Sequence, residues 1–144
     1  MLKLIPPLLG PGLLSTLRAM GHGDEIVIVD ANFPAEFLGP TVHRADGIAA
    51  TDMLDAVLTL MPLDDFVDEA AIGMAVVGEP DARPPIFELF EAVIRRHEPS
   101  MGFSAVERFA FYDRAKNAAA VIQTGEARLY GNVILKKGVI RPQS

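Results

Sequence analysis

The stretch Glu25-Ile26-Val27-Ile28-Val29-Asp30 restricts the fold more than any other part of the chain. Its four central residues are all β-branched, which favours extended backbone, and no polar residue alternates with them. A strand of this kind has no face to offer water, so it needs a covering layer on both sides. Gly23 precedes the run and an Asn32-Phe33-Pro34 turn follows it. Ala70–Val77, closed by Gly78 and Pro80, is a second buried-strand pattern. Ala118–Gln123, ending in the turn Thr124-Gly125-Glu126, is a third. Thr41–Arg44 and Asn132–Leu135 add two shorter strands.

The covering layers come from segments whose apolar residues recur at helical spacing. Pro11 opens one in which Leu13, Leu14, Leu17 and Met20 share a side, with Gly21 placed for a left-handed C-cap. Thr51 is the expected N-cap of a second, marked by Leu54, Val57, Leu58 and Met61 and stopped by Pro62. Pro84 and Pro85 open a third, with Phe87, Phe90, Ile94 and His97 facing one way. A short fourth spans Phe109–Asn117. Strands alternating with helices predict one compact α/β domain over residues 1–144, a mostly parallel sheet with flanking helices.

Charge narrows the partners. Thirteen basic against nineteen acidic residues give a net charge of −6, and no Lys/Arg cluster offers a footprint for nucleic acid or for an anionic membrane. No run approaches the ~20 apolar residues of a bilayer span. The start has one Lys and an apolar stretch broken by Pro6 and Pro7, which is not the pattern of a secretory signal. Without cysteine there is no disulfide, thiolate nucleophile or Cys-based zinc site. His22, His43 and His97 lack metal-ligand spacing, so no metal is expected. Gly10-Pro11-Gly12 and Gly21-His22-Gly23 match neither nucleotide-binding loop, so no nucleotide cofactor is expected either. These features fit a cytoplasmic protein. Half the residues are hydrophobic, an aliphatic surplus that buried parallel strands or a subunit interface would each explain.

A few residues can carry chemistry. His22 lies between Gly21 and Gly23, which leave its imidazole open to a ligand, and histidine exchanges protons near neutral pH. A helix-capping loop with an incidental histidine has the same sequence. Asp30 ends a buried strand, where open α/β sheets bind ligands, although capping the following turn would also use it. Tyr130-Gly131-Asn132 combines a phenol, an open backbone and a carboxamide, a set suited to sugar hydroxyls and equally found in tight turns. Arg108 is placed either to bond a polyol or to pair on the surface with Glu107 or Asp113.

Taken together, several segments resemble the L-fucose mutarotase / D-ribose pyranase family. They are Met1-Leu2-Lys3, Ile5-Pro6-Pro7-Leu8-Leu9, Gly21-His22-Gly23-Asp24-Glu25 and Asp30-Ala31-Asn32-Phe33-Pro34-Ala35. Further along come Arg44-Ala45-Asp46-Gly47, Arg108-Phe109-Ala110-Phe111-Tyr112, Thr124-Gly125-Glu126, Tyr130-Gly131-Asn132 and Ile134-Leu135-Lys136-Lys137-Gly138-Val139. The matches run in order along nearly the whole chain and are weakest over 79–100.

The resemblance implies a ring-forming fold and an isomerase that interconverts anomers of a free monosaccharide without metal or organic cofactor. It implies His22 as proton donor and Asp30, Arg108, Tyr130, Gly131 and Asn132 as substrate contacts. Arginine rather than histidine at position 108 places the chain on the fucose side, with L-fucose as substrate. It implies a homo-oligomer, a decamer of two pentameric rings. A non-catalytic sugar-binding protein of a transport or regulatory system is the alternative; it would keep the sugar contacts without needing His22.

One geometric problem is already visible. His22 and Asp30 flank the strand 25–30, and an extended path between them reaches ~26 Å. Either the Gly21–Asp24 loop folds back along the strand, or a neighbouring subunit contributes contacts. Tyr130–Asn132 is the expected contribution, because it precedes a terminal strand suited to a sheet edge.

Overall fold

The computed structural model describes residues 1–143. It contains α1 (Pro11–Ala19), β1 (Glu25–Val29), β2 (Thr41–Ala45), α2 (Ala50–Leu60), β3 (Ala71–Met74), α3 (Pro85–His97), β4 (Ser104–Val106), α4 (Arg108–Lys116), β5 (Ala120–Thr124) and β6 (Val133–Lys136). The strands form one sheet in the order β2-β5-β1-β6-β3-β4. β1 pairs in parallel with β5, β5 with β2, and β3 with β4, whereas β6 runs antiparallel between β1 and β3. The sheet is therefore mostly parallel, as expected.

Burial on both faces explains the unbroken apolar runs. Ile26 and Ile28 point with Ala120, Ile122, Val133 and Leu135 into a core built with α1, α2 and α3. Val27, Val29, Val121 and Ile134 point the other way, against Phe111 and Ala115 of α4 and against Phe33 and Ala35. Ile26 to Val29 have no exposed surface, and burying each side chain is worth about 1.5–3 kcal/mol. Much of the aliphatic surplus is buried inside the domain. Some remains outside, since Leu4, Phe37, Phe66, Phe109, Leu129 and Ile140 are largely exposed.

Several local expectations need correction. Gly21 is not left-handed; the positive φ falls on Gly23, at 88°. The last carbonyls of α1 are satisfied instead by Lys137, whose Nζ donates to Leu17 O at 2.7 Å and Met20 O at 2.6 Å. Helix α2 starts one residue before Thr51, and its N-cap Ala49 has no capping side chain. The buried Glu126 carboxylate, from the β5–β6 connection, accepts the Ala50 amide at that helix start. β3 ends at Met74, and the Val76–Glu79 turn leaves the sheet. Ser104–Val106, too short for a periodic signal, was not expected as a strand. Lastly, β6 is an interior strand, not an edge. No helix among the described residues is long and apolar enough to cross a membrane.

Candidate active site

The carboxyl ends of the parallel strands and the segment entering β6 meet at one edge of the sheet. Asp30 leaves β1 there and is 5% exposed. Its Oδ1 accepts the Asn32 amide at 3.0 Å and its Oδ2 accepts the Gly131 amide at 3.2 Å. Its own amide donates to Asn132 Oδ1 at 2.9 Å. Gln123 Nε2 donates to the carbonyls of Asp30 and Phe33, both at 2.9 Å, and holds the turn from below. Asp30 thus caps the turn, one of the two sequence alternatives, and its carboxylate also faces the 130–132 segment. Burial raises its carboxyl pKa and outweighs the opposing amides of Asn32, Gly131 and Phe33; the nearby Glu126 charge adds to the rise.

Tyr130 has a φ of 62°, unusual for a residue with a Cβ. Gly131 follows, in a space where a Cβ would stand 2.8 Å from Glu126 Cγ and 3.0 Å from Ile86 Cδ1. Only glycine fits so close a wall, and that approach aims its amide at Asp30. The Tyr130 hydroxyl accepts the Val77 amide at 3.1 Å, which leaves its O–H free to donate elsewhere. Beneath it, Glu126 holds Arg128 through bonds of 3.0 and 2.8 Å, and this partner lowers the Glu126 pKa. Neither Gln123 nor the Glu126–Arg128 pair stood out in the sequence. Thr124-Gly125-Glu126 is legible as a turn and as a segment of the family resemblance, without a role for Glu126.

Arg108 begins α4 at the same edge. Glu107 is not its ion-pair partner but the helix N-cap, whose carboxylate accepts the amides of Phe109 at 2.8 Å and Ala110 at 3.1 Å. The Arg108 guanidinium lies 4.6 Å from the Phe109 ring centroid. Its Nε is buried with no hydrogen-bond partner among the described residues. Arg108 and Val77 line one cleft of about 330 Å³ with Ala75, Gly78, Pro80 and Glu107. The Val77 amide in that wall is the one that bonds Tyr130.

His22 is elsewhere. The Gly21–Asp24 loop does not fold back along β1, because Gly23 N–H donates to Lys137 O at 2.8 Å and Lys137 N–H to Asp24 O at 2.9 Å. These bonds hold it at the amino end of β1, beside the end of β6. There the His22 Nε2 lies 3.0 Å from Asp64 Oδ1, and its ring is 5.0 Å from that of Phe66. From Asp24 to Asp30 is six residue steps, or roughly 20 Å along the strand. Within the chain Asp30, Gly131 and Asn132 are in direct contact, Tyr130 and Arg108 share their edge, and His22 sits at the opposite edge. His43 bonds Thr16 at 2.8 Å and His97 bonds Asp55 at 2.7 Å, so both have structural partners. No group of three or more acidic or histidine side chains among the described residues is arranged to hold a metal.

Known proteins are similar to this chain over nearly its whole length. The chain is 47% identical to a human (Homo sapiens) fucose mutarotase over 145 residues, covering 96% of this chain and 94% of that protein. It superposes with a TM-score of 0.88 on a Streptococcus pneumoniae fucose mutarotase solved in complex with L-fucose, at 43% identity over 97% of this chain and all of the other. The Bacillus subtilis RbsD complexed with D-ribose matches with a TM-score of 0.73 at 26% identity, covering 98% of this chain and all of that one. The profile of the RbsD / FucU transport protein family matches residues 3–140. With nearly the whole length matched, the chain belongs to the RbsD / FucU family.

Proposed function

We propose that this protein is a fucose mutarotase, an isomerase that interconverts the α and β anomers of free L-fucose. The observation that carries this reading is the near-full-length identity with fucose mutarotases, joined to a sheet edge that gathers Asp30, Arg108, Tyr130 and Asn132. Such groups suit a polyol, whose hydroxyls both donate and accept. Asp30 and Asn132 hold sugar hydroxyls, the Tyr130 O–H and the Gly131 backbone close on the ring, and Arg108 supplies charge-assisted donors.

His22 is the proton donor. Protonated, it delivers a proton to the ring oxygen as the C–O bond breaks, while the anomeric hydroxyl gives its proton to water and the open aldehyde forms. Rotation about the adjacent C–C bond and the reverse transfers close the ring as the other anomer. Positioned acid–base groups give about 10²–10⁴-fold. Sugars open slowly in water without help, so that factor suffices, and no step calls for a metal or covalent intermediate.

His22 cannot reach a sugar bound at Asp30 of its own subunit, so the site is shared between subunits of a homo-oligomer, in our reading a decamer of two pentameric rings. Supporting this, exposed apolar side chains lie beside the site residues at both ends: Phe66 next to the His22 ring, and Phe109 and Leu129 next in sequence to Arg108 and Tyr130. Its place is the cytoplasm, which a cysteine-free acidic chain suits. The test is NMR saturation transfer between anomers of fucose, ribose and galactose with sub-stoichiometric protein. Fast exchange on fucose is expected. Binding with no acceleration on any of the sugars would instead favour a non-catalytic sugar-binding protein.

A further inference from the structure

Asp64 is buried, 3% exposed, yet it belongs to none of the sugar contacts. Three features bring it to His22. Asp64 N–H donates to Lys136 O at 3.0 Å, and Gly138 N–H donates to Pro62 O at 2.8 Å, so residues 62–64 are strapped to the end of β6. A Cβ on Gly138 would stand 2.4 Å from Leu63 O and 2.8 Å from Asp64 N, an approach only glycine permits. The same end of β6 carries Lys137, whose backbone bonds Gly23 and Asp24 of the histidine loop. The histidine loop and the Asp64 segment therefore hang on one backbone support.

The side chains complete the arrangement. Asp64 Oδ1 accepts the Phe66 amide at 3.0 Å, fixing the carboxylate, and lies 3.0 Å from His22 Nε2. The hydrogen bond from His22 is the largest influence holding the Asp64 carboxyl below its ordinary range, ahead of the Phe66 amide. An ionised carboxylate only accepts, so the imidazole nitrogen facing it carries the hydrogen. Phe66, 5.0 Å away ring to ring, restricts the imidazole from one side, and Arg141 in turn lies over Phe66 at 5.1 Å while pairing with Asp65.

We propose that Asp64 is a positioning residue for His22, which holds the neutral imidazole as the Nε2–H tautomer and leaves Nδ1 as the atom that gives and regains the proton. This rests on the reading of His22 as the proton donor. The carboxylate touches no sugar. It orients the ring and fixes which nitrogen carries the hydrogen in the neutral imidazole. The buried place of Asp64 keeps water from competing for Nε2.

The experiment uses the intact oligomer. Two-bond ¹H–¹⁵N correlation of the imidazoles, with His22→Ala to assign the signal, reads the tautomer in the unmodified protein. Anomer exchange is measured alongside on the wild type, His22→Ala and Asp64→Asn. The expected result is a neutral Nε2–H imidazole at His22. In Asp64→Asn a mixed tautomer is expected, with exchange down by about tenfold or more and sugar affinity unchanged, the direction seen when an orienting carboxylate becomes an amide. An Nδ1–H tautomer in the unmodified protein would overturn the proposal even if no Asp64 variant folded. So would wild-type exchange in folded Asp64→Asn. A folded His22→Ala that keeps exchanging anomers would remove His22 as donor, a different failure that the tautomer signal leaves separate.

Discussion

His22 and Asp30 stand at opposite ends of β1, each fixed there by contacts with β6 and its flanks. Asp30 meets Gly131 and Asn132 just before β6 begins, and the His22 loop meets Lys137 just after it ends. The antiparallel insertion of β6 beside β1 therefore places the two groups of candidate residues on opposite edges of one sheet. In the proposed oligomer, the Asp30 edge of one subunit would meet the His22 edge of another, and the two edges together would make one site.

Arg108 provides a test of sugar choice. Its buried Nε, without a partner among the described residues, and its place in the Val77 cleft leave it a donor to offer a ligand. Arg108→His removes a charge-assisted hydrogen bond worth about 1.5–3 kcal/mol, so exchange on fucose should fall about 10- to 100-fold. Exchange on ribose should fall less. Saturation transfer on the two sugars measures the ratio, and equal losses on both would show that another contact discriminates.

Extensive chelation should leave exchange unchanged. The chain has no cysteine, and His43 and His97 are bonded to Thr16 and Asp55, away from either group of candidate residues. Activity lost to a chelator and restored by one particular metal ion would reveal a ligand set not described here.

The Glu126–Arg128 pair predicts a pH-dependent stability. Arg128 lowers the Glu126 pKa below its ordinary value of 4.5. A lowered folded-state value means the pair stabilises the fold above pH 4.5 and loses that contribution as pH falls through the lower folded value. Arg128→Ala should cost about 1–2 kcal/mol near neutrality, the half-exposed arginine being partly screened. Denaturant melts of both proteins at pH 7 and pH 3 should show the difference shrinking in acid. A constant difference would mean that lost packing, not charge, dominates.

Where sequence reading succeeded and failed has a physical pattern. Ile26–Val29 and Val121–Ile122 were legible because burial on two faces writes itself as unbroken apolar runs. Helix starts at Pro11 and Pro85 were legible because proline fits only the first turn. Caps supplied from far away were not: Lys137 closes α1 and Glu126 closes α2 across more than seventy residues, and no local pattern encodes that. The strand 104–106 is too short to carry a period. Asp30 and Tyr130–Asn132 could be singled out by chemistry, and their pairing emerged only from β6 lying beside β1. Asp64 carries no distinguishing pattern in Asp64-Asp65-Phe66-Val67-Asp68, where three acids stand within five residues.

The shared site is tested most directly by complementation. His22→Ala and Tyr130→Ala subunits, each inactive as its own oligomer, are dissociated, mixed and reassembled, and fucose anomer exchange is then measured. Interfaces that join a Tyr130→Ala subunit's intact His22 edge to a His22→Ala subunit's intact Asp30 edge hold a full set of groups, so activity should return in the mixture. Mixed oligomers that form yet show no exchange above the parents would contradict the account and place every catalytic group within one chain.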